Sequence, residues 1–138
     1  MLILSCNKKL ESDKFLENSI REKVLSGQRI MDLNEIADFK WDSLIILTPY
    51  SIPENLSEKF EADFSAVEHT GIQHRDDINL IIFFDEGEIK KLVEYPRYPG
   101  DFSDNKVSFI KRNEAKFQIM VTEKMSTEGN KWINVIKE

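Results

Sequence analysis

Five residues of the kinds that ligate metals and move protons fall within one ten-residue window: Glu68, His69, His74, Asp76 and Asp77. Imidazole and carboxylate side chains together can hold a divalent cation or relay a proton. The spacing here is H-x4-H followed by two acids, which matches no ligand pattern of defined geometry. No metal site is expected from it. A second candidate is GDFSDNKVSFIKR, in which Asp101, Ser103 and Asn105 alternate as at the start of a calcium-binding loop. Such a loop needs glycine at its sixth position and glutamate at its twelfth. Lys106 and Arg112 stand there instead, which excludes calcium.

Catalytic chemistry finds no foothold. The chain has no G-x-S-x-G elbow, and its single cysteine, Cys6, is far in sequence from either histidine. No glycine-rich loop opens a helix to cradle phosphate. With 25 acidic residues some carboxylates must be neighbours, so no acid/base pair can be singled out. The expectation is a non-enzymatic protein with no catalytic residue, no cofactor and no metal. A small enzyme whose site the sequence does not reveal is a lesser alternative.

The segment EYPRYPGDF is the most informative internal stretch. Tyr95, Tyr98 and Phe102 surround one cation, Arg97, between two prolines. Tyrosine and arginine dominate binding hot spots, and a stiffened loop loses less entropy on docking. These four residues form a candidate binding surface. The competing reading is structural: the prolines end a strand, the tyrosines pack over the sheet edge, and Arg97 pairs with an acid. Trp41 in FKWDSL, at the entrance to a strand, reads as core.

These residues need elements to place them. Leu16, Ile20 and Val24, with Phe15 beside them, predict a helix over residues 12–26, capped by Ser12 and stopped by Gly27. QRIMDL suggests a short strand. The apolar run 44–47 predicts a strand covered on both faces. In SIPENLSEKFEADFS, Ser51 and Glu54 have capping-box spacing, Pro53 suits a first turn, and Leu56, Phe60 and Phe64 form one stripe. INLIIFFDEGEIKKLVEY reads as a hairpin turning at Glu86-Gly87. KVSFIKR, AKFQIMVTEK and KWINVIKE follow as strands, the last two joined by a turn at Glu128-Gly129-Asn130. Short turns require antiparallel neighbours. The class is therefore α+β: two helices on one face of a mostly antiparallel sheet of about five to seven strands.

At 138 residues with 41% apolar and 32% charged side chains, the chain suits one domain that buries roughly two-thirds of its unfolded surface. A net charge of −6 argues against nucleic acid and against a polybasic lipid-binding face. The charge is uneven. Residues 32–104 hold 17 acids and 6 bases, while the flanks sum to +5. Such a region can be a solvated surface or can meet a cationic partner.

The opening MLILSC resembles the end of a bacterial lipoprotein signal, with Ile3, Leu4, Ser5 and Cys6 in the lipobox places and NKKLESDK similar to the polar tether that follows. The resemblance implies that Cys6 becomes the first mature residue and carries the acyl chains. Five residues before Cys6 are too few for an apolar signal core, so it also implies residues upstream of Met1. The organisation expected is 1–6 signal remnant, 7–11 tether and 12–138 globular domain. FKWD and PY with the later YPR and DF are similar to small, lipid-anchored bacterial domains of uncharacterised activity.

The function expected is a non-enzymatic, lipid-anchored envelope domain that binds a protein or another envelope component, touching the membrane only through Cys6. The alternative is a soluble acidic inhibitor or immunity-type protein that binds a basic partner. Without residues upstream of Met1, the expected location is the cytoplasm.

Overall fold

A computed structural model describes residues 10–138; residues 1–9, including Cys6 and most of the expected tether, lie outside the described part. The first helix, α1 (Lys14–Val24), buries Leu16, Ile20 and Val24 on one face. Its cap is Asp13, whose carboxylate accepts the Leu16 N–H at 2.9 Å, and not Ser12. Ser12 is engaged elsewhere. Its Oγ accepts the Glu94 N–H at 2.8 Å, and the Asp13 N–H donates to the Leu92 carbonyl at 2.9 Å. The chain ahead of α1 is thus stitched along a later strand. Phe15, expected beside the apolar face, points to solvent and is 81% exposed.

After α1 come β1 (Ile30–Asp32), α2 (Leu33–Ile36), β2 (Ser43–Leu47), α3 (Pro53–Phe60), β3 (Ile78–Asp85), β4 (Glu88–Pro96), β5 (Ile110–Lys111), β6 (Lys116–Met125) and β7 (Lys131–Lys137). The strands form two antiparallel sheets, β4-β3-β2-β5 and β1-β6-β7. The class is α+β, as expected, with helices packed against sheet. Two details of the layering differ: the strands divide between two sheets, and α1 and α3 lie on opposite faces of the larger one.

The reason is in β2 and β3. All eight residues of β3 and Leu44–Leu47 of β2 are buried, so both faces of this sheet need a cover. On one face Leu44, Ile46, Ile81, Phe83, Val93 and Tyr95 meet α1, α2 and the inner side of the small sheet, through Met31, Phe117, Ile133 and Val135. On the other, Ile45, Leu47, Leu80, Ile82 and Phe84 meet α3, through Leu56 and Phe60, and the two 3-10 turns after it, through Phe64, Val67 and Ile72. A helix layer on one face alone would leave half of the apolar run in water, at roughly 25 cal/mol for each Å² exposed.

Local chemistry sets the connections. Glu86 and Gly87 have φ of 51° and 79°, the pair of positive values that a type I′ hairpin turn demands. The capping box expected before α3 does not form. Ser51 donates to the Thr48 carbonyl at 2.7 Å, and Ile52 holds the cap position without a side-chain bond. Glu61, in the left-handed region at φ 52°, ends α3 before Phe64. Phe64 reaches the core beyond the helix, its N–H donating to Ser57 Oγ at 2.9 Å.

Candidate binding surface

The structure separates the four candidate residues of EYPRYPGDF into two pairs. Tyr95 and Phe102 are fully buried, their rings edge-to-face at 5.7 Å, and Phe102 meets Phe117 in the same way at 5.6 Å. Burial pushes the Tyr95 hydroxyl well above its ordinary pKa, and that hydroxyl donates to the Pro99 carbonyl. These two residues are core, and the binding surface expected of them is corrected accordingly. Gly100 makes the close turn between them possible: it has φ 107°, and a Cβ there would stand 3.2 Å from the Tyr95 ring.

The loop after Gly100 behaves as an additional strand on the outer edge of β7. The Asp101 N–H donates to the Ile133 carbonyl at 2.8 Å, and the Asp101 carbonyl accepts the Val135 N–H at 2.9 Å. Asn105 continues the row with its side chain. Its amide donates to the Val135 carbonyl at 2.8 Å, and its Oδ1 accepts the Lys137 N–H at 2.6 Å. Asn79, fully buried on β3, accepts the Phe102 N–H and donates to Ser103 Oγ. The alternation of Asp101, Ser103 and Asn105 therefore serves to tie the two sheets together.

Arg97 and Tyr98 remain at the surface. The Arg97 guanidinium donates to both carboxylate oxygens of Asp101, at 3.2 and 3.1 Å, and to the Asp76 carbonyl at 2.8 Å. Burial pushes the Asp101 carboxyl up, but hydrogen bonds from Arg97 and Ser103 outweigh it and hold the group below its ordinary range. The same carboxylate accepts the Trp132 indole N–H at 3.1 Å. Over the Trp132 ring lie the Arg97 guanidinium at 5.7 Å and the Lys124 ammonium at 5.2 Å, with the Tyr98 ring centred 6.0 Å away.

Trp132 opens onto the outer face of the small sheet. Strand register places Ile30, Gln118 and Ile136 in one row and Met120 beside Asn134 in the next. The Thr122 hydroxyl donates to the Trp132 carbonyl at 2.8 Å. Met31, Phe117, Ile133 and Val135 point the other way, into the core. From Gln118 to Lys124 and from Trp132 to Ile136, the outward positions carry no acid, and Lys124 is their one base. Depletion of charge with enrichment in Trp, Tyr, Met and Arg marks the centre of protein interfaces. The sequence reading missed Trp132 and Lys124. The alternation in KWINVIKE was the available signal, since burying Ile133 and Val135 must turn Trp132, Asn134 and Ile136 outward.

The histidine window does not converge. A His69 ring nitrogen lies 2.7 Å from the Leu10 carbonyl, and His74 lines a cleft of about 310 Å³ with Glu54 and Glu68. Asp77 pairs with Arg75 through two 2.8 Å bonds, and Asp76 offers its carbonyl to Arg97. Among the described residues no three His, Cys, Asp or Glu side chains are placed to hold a metal ion. No helix among them is long and apolar enough to cross a membrane.

Two other features stand out. A groove of about 610 Å³ runs beside Trp41, Arg112, Lys111 and Asn34. Above β2 and β3 on the α3 side, Glu54, Glu58, Glu61, Asp63 and Glu68 have no cationic partner among the described residues. Comparison with family models, with curated proteins and with solved structures finds no match, and no family is assigned to the chain.

Proposed function

We propose that this is a non-catalytic binding domain, held at a bacterial envelope by a lipid on Cys6, that meets a protein partner through the outer face of its small sheet. The observation that carries the reading is that charge-poor face, ending in Trp132, Tyr98 and the Asp101-held Arg97. Its anchors are already ordered by internal bonds, so docking costs little side-chain entropy. The anchoring part rests on the lipobox-like Ile3-Leu4-Ser5-Cys6. A multi-chain anchor holds firmly because each buried methylene contributes about 0.8 kcal/mol. Leu10 packs with the cluster under α3. Four residues of chain span at most about 14 Å, so a lipid on Cys6 keeps the Leu10 corner near the membrane. The small sheet lies across the larger one from that corner.

Two measurements test this. A complete lipoprotein signal placed ahead of Ile3 should give a chain whose Cys6 takes up labelled fatty acid in a bacterial host, with the label lost in Cys6→Ser. A chain left unlabelled in the cytosol ends the anchoring part. A photo-crosslinking side chain at Met120 should capture a protein in the host envelope, and one at Glu58 should not. Capture at Glu58 alone would favour a second reading, in which the five acids on the α3 side meet a basic partner.

A further inference from the structure

Strand β1 accompanies β6 only from Lys116 to Gln118, with one further bond from the Ile119 N–H to the Arg29 carbonyl at 2.8 Å. Residues Met120–Met125 run on beside β7, through a register shift between Val121 and Met125, with no described strand on the other side. Odd-numbered residues of β6, and Ala115 just before it, aim their backbone groups toward β1: the Ala115 carbonyl takes the Leu33 N–H, and Ile119 donates to Arg29. Val121 continues that row past the end of β1. The edges at β7 and β4 are treated differently. Asp101 and Asn105 cover β7, and Ser12 and Asp13 cover β4. The open stretch also exposes apolar side chains on both of its faces, with Met120 at 46%, Val121 at 64% and Met125 at 54%. Lys124, on the Trp132 side, has no carboxylate partner among the described residues.

We infer that the open edge of β6 at Met120–Met125 accepts an extended peptide segment of the partner as an added strand in line with β1. Backbone hydrogen bonds to Val121 supply the register. Alternating apolar residues of the segment cover Met120 on one side and Val121 on the other, and an Asp or Glu meets Lys124. This rests on the binding reading above but is separable from it, because an edge recognises backbone and a face recognises side chains.

The probe is a random heptapeptide library displayed on phage and panned against the full chain. Enriched sequences should alternate apolar residues and carry an acid. Val121→Pro removes the outward N–H and should reduce their capture at least tenfold, while Lys124→Glu should exchange the selected acid for a base. No enrichment, or enrichment indifferent to both variants, overturns the inference. If Val121→Pro fails to fold, the acid-to-base exchange in Lys124→Glu decides alone. Should Met120 crosslinking persist in Val121→Pro while Trp132→Asp abolishes it, the face binds and the edge does not.

Discussion

The protein contains two tryptophans, each with an arginine over its ring, and the two pairs have opposite characters. Trp41 is 3% exposed, meets Phe83 edge-to-face at 4.9 Å and donates its indole N–H to the Ala37 carbonyl at 2.9 Å. Above it, at 4.9 Å, the Arg112 guanidinium makes five bonds, all to neutral oxygens: Asn34 Oδ1 and the carbonyls of Asn34, Ala37, Phe39 and Trp41. No carboxylate among the described residues pairs with it. Trp132 is half-buried, and both it and Arg97 are held by one carboxylate, Asp101. The first pair uses a cation to gather the carbonyls of an irregular loop, so its donors are all engaged and the adjoining groove has no free guanidinium to offer. The second fixes an amphipathic surface in place without hiding it.

That contrast can be broken in graded steps. The largest effect is expected for Trp41→Ala, which empties a buried site and should cost about 3–5 kcal/mol in chemical denaturation. A loss below about 1 kcal/mol would show that the loop repacks without it. Arg112→Met keeps the stem but strands several carbonyls, and about 2–3 kcal/mol is expected. Asp101→Asn should cost about 1–2 kcal/mol and also alter the pH profile. Because the folded carboxyl titrates below its ordinary value of 3.8, its contribution is present above that value and disappears as pH falls through the folded pKa. The acid limb of stability should therefore be shallower in Asp101→Asn than in the parent. Trp132→Asp takes the indole N–H from Asp101 and sets a second carboxylate near it, so about 1–2 kcal/mol is expected, well below Trp41→Ala, and this variant should also lose capture at Met120. Equal stability losses at the two tryptophans would erase the distinction.

How much of this could be read from residues alone depended on whether a local rule had a competitor. Glu86-Gly87 had none, since a glycine second in a two-residue link between β-prone runs points to one tight turn, and the hairpin was legible. The stripe Leu16, Ile20, Val24 was equally clear, but the cap was not, because Ser12 and Asp13 both qualify and β4 claims the serine. Ser51 was lost to a turn carbonyl in the same way. The apolar run of β2 announced a cover on each of its faces, but not that β3 would need the same or that β1, β6 and β7 would separate to supply part of it. In EYPRYPGDF the residue types were right for recognition and the partition was hidden. Tyr95 continues the inward phase of β4 with Val93, whereas Tyr98 follows Pro96, where the pleat has ended.

The stitching of Ser12 and Asp13 onto β4 has a mechanical consequence. Tension applied to the chain upstream of Leu10 reaches the Asp13-to-Leu92 and Glu94-to-Ser12 bonds, and the Lys91–Asp13 ion pair at 3.1 Å, before it reaches the first turn of α1. These bonds act together along a strand already anchored in the sheet interior by Leu92, so the load spreads into the sheet and the helix is not peeled from its end. A domain pulled from this terminus resists as a sheet does.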